Sequence, residues 1–203
     1  MINLMRLGYG GWIIFDLLNW VGVLNFTLDF SWLGLVITSG FVWGVIEFTS
    51  AKLKKSTGQT LPWIVYFGGL FSVSMDALGD IAHWYSAYEW YDQMTHALGG
   101  GMAALIAFFV FWRLNQAGNI RVGEKLLGFM AFTTTAFLGV LYELEEYIED
   151  VFTGGNRLGT GVDTANDMMW NTIGALVVVI IAAKIVNRKF IKNKNYNLTE
   201  NGS

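Results

Sequence analysis

"WYDQMTHALGGGMAALIAFFVFW", Trp90 to Trp112, joins a polar mouth to an apolar run. Residues 93–113 have about the length, roughly 20 residues, that a bilayer crossing needs. The segment therefore reads as a transmembrane helix. At its mouth Asp92 and His96 stand four residues apart, a spacing that places both on one helical face. A carboxylate and an imidazole at the edge of a greasy helix are expensive there and by default mark function.

Five more segments have the same character, near 7–25, 31–50, 62–82, 126–149 and 164–186. Composition agrees: the 203 residues are 54% hydrophobic and 14% charged, where soluble domains carry roughly 25% charged residues. The first segment follows Arg6 in the manner of a signal peptide, but it contains Asp16, Asn19 and Trp20 and has no small-x-small cleavage site, so it is kept as a span. The expectation is an all-α, polytopic membrane bundle with six transmembrane helices: one domain over residues 1–187, then a polar cytoplasmic tail, frayed, over 188–203. The absence of Cys excludes disulfides, thiolate metal sites and thiol nucleophiles together. Nothing in the composition suggests nucleic acid as a partner; the bilayer is the expected one.

Orientation follows from the basic residues. Arg6 precedes span 1. Lys52, Lys54 and Lys55 follow span 2, and Arg113, Arg121 and Lys125 lie between spans 4 and 5. Lys184, Arg188, Lys189, Lys192 and Lys194 close the chain. Six spans put all of these on one side and leave Arg157 alone on the other. Both termini are then cytoplasmic in a bacterial or archaeal plasma membrane, and the loops near 26–30, 83–92 and 151–163 lie outside.

Local signals set some boundaries. Thr60-Leu61-Pro62 offers a cap and then a proline for the start of span 3. Asp163 is the N-cap expected for span 6. The glycines of "HALGGGMAAL" and "NTIGAL" suggest close helix packing.

At about 1.5 Å of rise per residue, four spans bring acids to one depth. Asp76, Asp80 and His83 lie at the outer end of span 3, Asp92 and His96 at the mouth of span 4. Glu143, Glu146 and Asp150 lie in the outer third of span 5, and Asp163, Asp167 and Asn171 open span 6. Asp92 and His96 are spaced i, i+4, and the other three sets keep i, i+3/i+4, i+7/i+8 spacing, hence one face each. Several converging carboxylates cannot all remain charged without compensation. Local bases are few, two His and Arg157, so either a bound cation or a shared-proton network is implied. His83 sits in the aromatic stretch "HWYSAYEWY" and reads as an interface residue. Glu145 and Glu149 point off the Glu143 face and read as rim residues. Asp16 and Asn19 read as an internal polar contact, and Glu47 as a structural residue near the lysines at 52–55.

The loop "TGGNRLGTG" contributes flexible backbone and Arg157, which can grip a phosphate or carboxylate with two N–H groups. An ordinary surface loop is the alternative.

The ordered motifs D-x-x-x-H (Asp92, His96), E-x-x-E-x-x-x-D (Glu143, Glu146, Asp150) and D-T-x-x-D-x-x-x-N-x-x-G-A (Asp163 to Ala175) carry a resemblance. The chain resembles the YjdF-like bacterial inner-membrane proteins over roughly its last 130 residues and, more distantly, VanZ-like proteins. It differs from the VanZ-like pattern at Glu146, where Gln is usual, and at Gln93, where Lys is common. The resemblance implies membrane placement and a shared motif, and it leaves the reaction open.

The leading expectation is a metal-dependent hydrolase or transferase of a phosphate-bearing lipid, working at the outer membrane face. Asp92, His96, Glu143 and Asp167 are the candidate ligands of a divalent metal ion, and Glu146 or Asp150 the candidate base. Arg157, Asn171 and Asp163 are the candidate substrate-binding residues. A proton- or ion-coupled transporter and a non-catalytic membrane partner protein are the alternatives.

Overall fold

The computed structural model describes residues 1–200, with side chains for residues 1–152 and 154–186. Its elements are α1 (Ile2–Trp20), α2 (Trp32–Thr57), α3 (Trp63–Ile81), the single turn α4 (Trp84–Ala87), α5 (Glu89–Gln116), α6 (Glu124–Thr153) and α7 (Gly161–Glu200). Among the described residues every regular element is helical. The tail expected from residue 188, with four of the basic residues used for orientation, lies outside the residues whose side chains are described.

The chain is an integral membrane protein with several helices fit to cross a bilayer. Five meet the requirement of length and apolarity: α2, α3, α5, α6 up to Phe152, and α7 up to Val186. α1 is as long as α3, 19 residues, but carries Asn3, Arg6, Asp16 and Asn19, which lower its hydropathy. It is the sixth long helix, packed on α2 and α3.

Two groups of three helices form the bundle. α1, α2 and α3 enclose Tyr9, Ile46, Leu53, Val65, Tyr66 and Val73; α5, α6 and α7 enclose Phe108, Leu127, Ala131, Ala175 and Val179. α5 joins the groups by packing on α2 and α3 through Leu105, Ile106 and Phe109. Exposure is inverted relative to a soluble protein. Phe41, Phe48, Phe129, Phe137 and Ile181 are exposed, while Asp16, Asp80, Glu143, Glu146 and Asp167 are buried. In hydrocarbon this is the favourable arrangement, since apolar side chains lose nothing by facing lipid and polar ones lose least inside the protein.

The closest approach is between α5 and α7. A Cβ on Gly100 would strike the backbone of Asn171, and one on Gly174 would strike the carbonyl of Ala97. Small residues thus let two backbones touch, as the glycine runs implied. This contact sets His96 of α5 opposite Asp167 and Asn171 of α7.

Several local expectations change. Pro62 is itself the N-cap residue of α3 and Thr60 lies outside the helix. Asp163 sits in the first turn of α7, and the hydroxyl of Thr160 accepts its N–H at 3.2 Å. Thr160 reaches that N–H because it stands three residues earlier, the N-cap spacing. Glu47 binds Arg6 of α1, with contacts of 2.5 and 2.8 Å, and accepts from Trp43 and Tyr66. The turn α4 was not expected at all.

Candidate functional site

His96 lies in the second turn of α5 and is buried, its side chain 7% exposed. Its Nε2 is 3.5 Å from Asp92 Oδ1, one helical turn earlier, and 3.8 Å from Asp167 Oδ1 on α7. Its Nδ1 is 3.2 Å from the amide nitrogen of Asn171 and 3.9 Å from Glu143 Oε1 on α6. Asp167 and Asn171 share a face of α7 at i, i+4, so one helix addresses both sides of the ring. Three helices therefore bring Asp92, His96, Glu143, Asp167 and Asn171 together.

Three carboxylate oxygens of this group lack donors. Both oxygens of Glu143 and Oδ1 of Asp167 are buried without a hydrogen-bond partner. One ligand atom from each of Asp92, His96 and Asp167 can be chosen so that all lie within 4.8 Å of one another. Buried acceptors facing one another in this way require a positive charge between them, a proton or a metal ion.

Arg157 builds a second group beside the first. α6 ends at Gly154, whose φ of 71° suits glycine, and its N–H bonds back to Asp150 O at 2.8 Å. The loop then folds over the helix end. Asp150 accepts the backbone N–H groups of Arg157 at 2.7 Å and Leu158 at 2.9 Å. The guanidinium of Arg157, 10% exposed, donates to Glu146 at 3.1 Å, Glu149 at 3.1 Å and the Tyr142 hydroxyl at 2.6 Å. The rings of Phe30 and Tyr142 lie against it. Burial alone would lower its pKa, but the surrounding Tyr142, Asp76, Glu146 and Glu149 outweigh that and hold it well above the ordinary value. Each of its nitrogens already donates to a protein group, so it does not face outward as an open phosphate grip.

The two groups touch through Tyr142, whose ring meets that of His96 edge-on at 5.9 Å. Glu146 is held by Arg157 yet stays within electrostatic reach of His96 and Glu143, whereas Asp150 anchors the loop. Glu149, expected at the rim, is drawn in: its other oxygen accepts from Ser31 at 2.6 Å, and Ser31 caps α2 by accepting from Gly34. One oxygen of Glu145 is buried as well. Asp163 is exposed and lies over Gly159.

The remaining polar residues of α3 serve the loop before α2 and the turn α4. Asp80 accepts the N–H groups of Asp29 and Phe30 at 2.7 and 2.8 Å. His83 adopts φ 56° and reaches Asp29 at 2.7 Å and Thr27 at 3.0 Å. Asp76 accepts from Tyr85 of α4 at 2.7 Å, and burial beside Asp76 pushes the Tyr85 hydroxyl pKa well up. Asn19 of α1 accepts from Phe26 N–H, whereas Asp16, fully buried, has no partner for either oxygen.

Tyr142, Ser31, Tyr85 and Asp29 were not singled out from the sequence. Tyr142, Glu146 and Glu149 do keep i, i+4, i+7 spacing, a stripe the 143/146/150 reading passed over. The partners of Ser31 and Asp29 are remote in sequence and had no local signal.

No curated protein and no solved structure matches the chain. Residues 53–188 match the family described as "Predicted membrane protein (DUF2238)", which is the YjdF-like family, and no match to VanZ-like proteins accompanies it. That span covers α5, α7 as far as residue 188, and every residue of the His96 and Arg157 groups except Phe30 and Ser31, and the chain belongs to the DUF2238 family of predicted membrane proteins.

Proposed function

We propose that Asp92, His96 and Asp167, with Glu143 beside them, bind a divalent metal ion at the outer membrane face, and that the protein uses it to hydrolyse or transfer a phosphate-bearing lipid. The observation that carries this is the set of buried carboxylate oxygens without donors around one imidazole. Oxygen and imidazole donors suit Mg²⁺, Mn²⁺, Zn²⁺ or Fe²⁺. Asn171 supplies the orientation such a ligand needs. With its amide turned so that the oxygen accepts from Nδ1–H, the lone pair of Nε2 faces Asp92 and Asp167. A metal there polarises a phosphate and activates water.

The chain's own residues divide the work. Asp92 is a third exposed and is the open side of the site. Glu143, free of hydrogen bonds, is the fourth ligand or the base that takes the proton from water. Glu146 and Asp150 support the site: Arg157 holds the first, and the second holds the loop that carries Arg157. Both termini lie in the cytoplasm in this reading, because the basic residues other than Arg157 then share one side.

The test is elemental analysis of detergent-purified protein after metal loading and dialysis, with wild type beside His96→Ala and Asp167→Asn. Near-stoichiometric metal in wild type, lost in both variants, is expected. Trace metal in wild type would remove the centre of the proposal.

A proton- or ion-coupled transporter is the second reading, favoured by Asp16, an unpartnered carboxyl fully buried in α1. Proteoliposomes separate the two. Gradient-dependent flux without chemical change in lipid, abolished by Asp16→Asn, supports transport; lipid turnover without flux supports the enzyme.

A further inference from the structure

We infer that the groove between α2 and α5, at the opposite end of the bundle from His96, binds an anionic phospholipid, its phosphate on Lys52 and Lys55 and one acyl chain along Val110 and Leu114. The groove encloses about 460 Å³, and Thr49 and Ser56 complete its lining. On α2 the residues Thr49, Lys52, Leu53 and Ser56 follow i, i+3, i+4, i+7 and so form one stripe. Val110 and Leu114 answer at i, i+4 on α5.

Charge decides the occupant. The lining holds two lysines, two hydroxyls and no acid. Among the described residues neither lysine makes an ion pair; Lys52 lies over the Phe48 ring at 5.3 Å. The nearest basic neighbour along the chain, Lys54, is outside the groove. Two lysines without an ion-pair partner among the described residues, on the lining of an otherwise largely apolar groove, match a lipid with a charged head and a hydrocarbon tail, and basic clefts between helices are suited to such heads. Along α5, Val110 and Leu114 are 14 and 18 residues beyond His96, roughly 21–27 Å of helix rise. The groove is therefore a separate site, and the inference does not rest on the metal proposal.

The experiment is native mass spectrometry of protein released from mixed vesicles of phosphatidylglycerol and phosphatidylcholine. Wild type is expected to retain phosphatidylglycerol selectively. The double variant Lys52→Gln/Lys55→Gln should lose retention by about thirtyfold, from roughly 0.7 log unit per lysine. The charge-matched variant Lys54→Gln/Arg121→Gln, which leaves the groove lining intact, should stay near wild type, and Val110→Trp, which fills the channel, should lose retention. Equal losses in the two double variants, equal retention of phosphatidylcholine, retention unaffected by Val110→Trp, or a dimer that excludes lipid from the groove would each overturn the inference.

Discussion

His96 has one ring nitrogen turned to Asn171 and the other to Asp92 and Asp167, so its neighbours control which nitrogen carries the proton. Under the metal reading, Asn171→Ala leaves the ligands in place and removes only the orienting contact. It is expected to weaken metal affinity about 10–100-fold, measured by competition with a chelating dye; unchanged affinity would sink the orienting role. Arg157→Met tests the neighbouring group. It leaves Glu146 buried without its cation and should destabilise the fold by about 3–5 kcal/mol, read as a lowered melting temperature in detergent. At this scale the sequence was informative where partners lie one turn apart. Asp92–His96 and Asp167–Asn171 are legible as i, i+4 pairs. Glu149–Ser31 and Asp80–Phe30 are not, since nothing local joins residues 118 or 50 positions apart.

Among the elements, α5 and α7 make a sharp prediction. Alanine at Gly100 or Gly174 must push backbone from backbone, because each Cβ would meet main-chain atoms that cannot rotate away. Gly100→Ala and Gly174→Ala should each cost about 1–3 kcal/mol or more. Gly99→Ala, with open space at its Cβ, should be neutral or slightly stabilising. Denaturation of the three variants in detergent checks this; equal stability would show that the helices can part without loss. The glycine runs announced close packing but not the partner. The spans were legible from apolar length, with helix ends several residues off. α1 runs from Ile2 to Trp20 where residues 7–25 were expected, because its polar residues blur the edge that hydropathy detects. The turn α4 escaped because four residues carry no readable period.

For the whole molecule, the proposed orientation places the loop at 154–160 outside. In this naturally Cys-free chain, Asn156→Cys should react with an impermeant maleimide from the outer face only. Labelling solely from the cytoplasm would reverse the topology. Metal binding should also register globally. A ligand at a hundredfold excess over Kd adds about 2.7 kcal/mol to stability, so EDTA should lower the melting temperature of metal-loaded protein. Glu143→Gln should bind metal less well yet raise the stability of the metal-free form, since one unpaired carboxylate is gone. No EDTA shift in wild type would favour a shared-proton network. The all-helical membrane architecture was legible at this scale, because the cost of unpaired backbone in lipid leaves few alternatives.

The backbone contact between α5 and α7 also dictates an order of events during synthesis. α6 and the Arg157 loop are made between the two helices, so α5 and α6 leave the ribosome with His96, Asp92 and Glu143 before Asp167 and Asn171 exist. Until α7 arrives, the groove it will fill is open along Gly100 and Gly101, and the polar mouth of α5 has no third wall. The nascent chain must keep those side chains near the membrane surface or against the insertion machinery during that interval. Completion of the last helix is then a quality checkpoint: chains halted before residue 161 should be recognised as unfinished and degraded faster than the full-length protein, even though most of their spans are already in the bilayer.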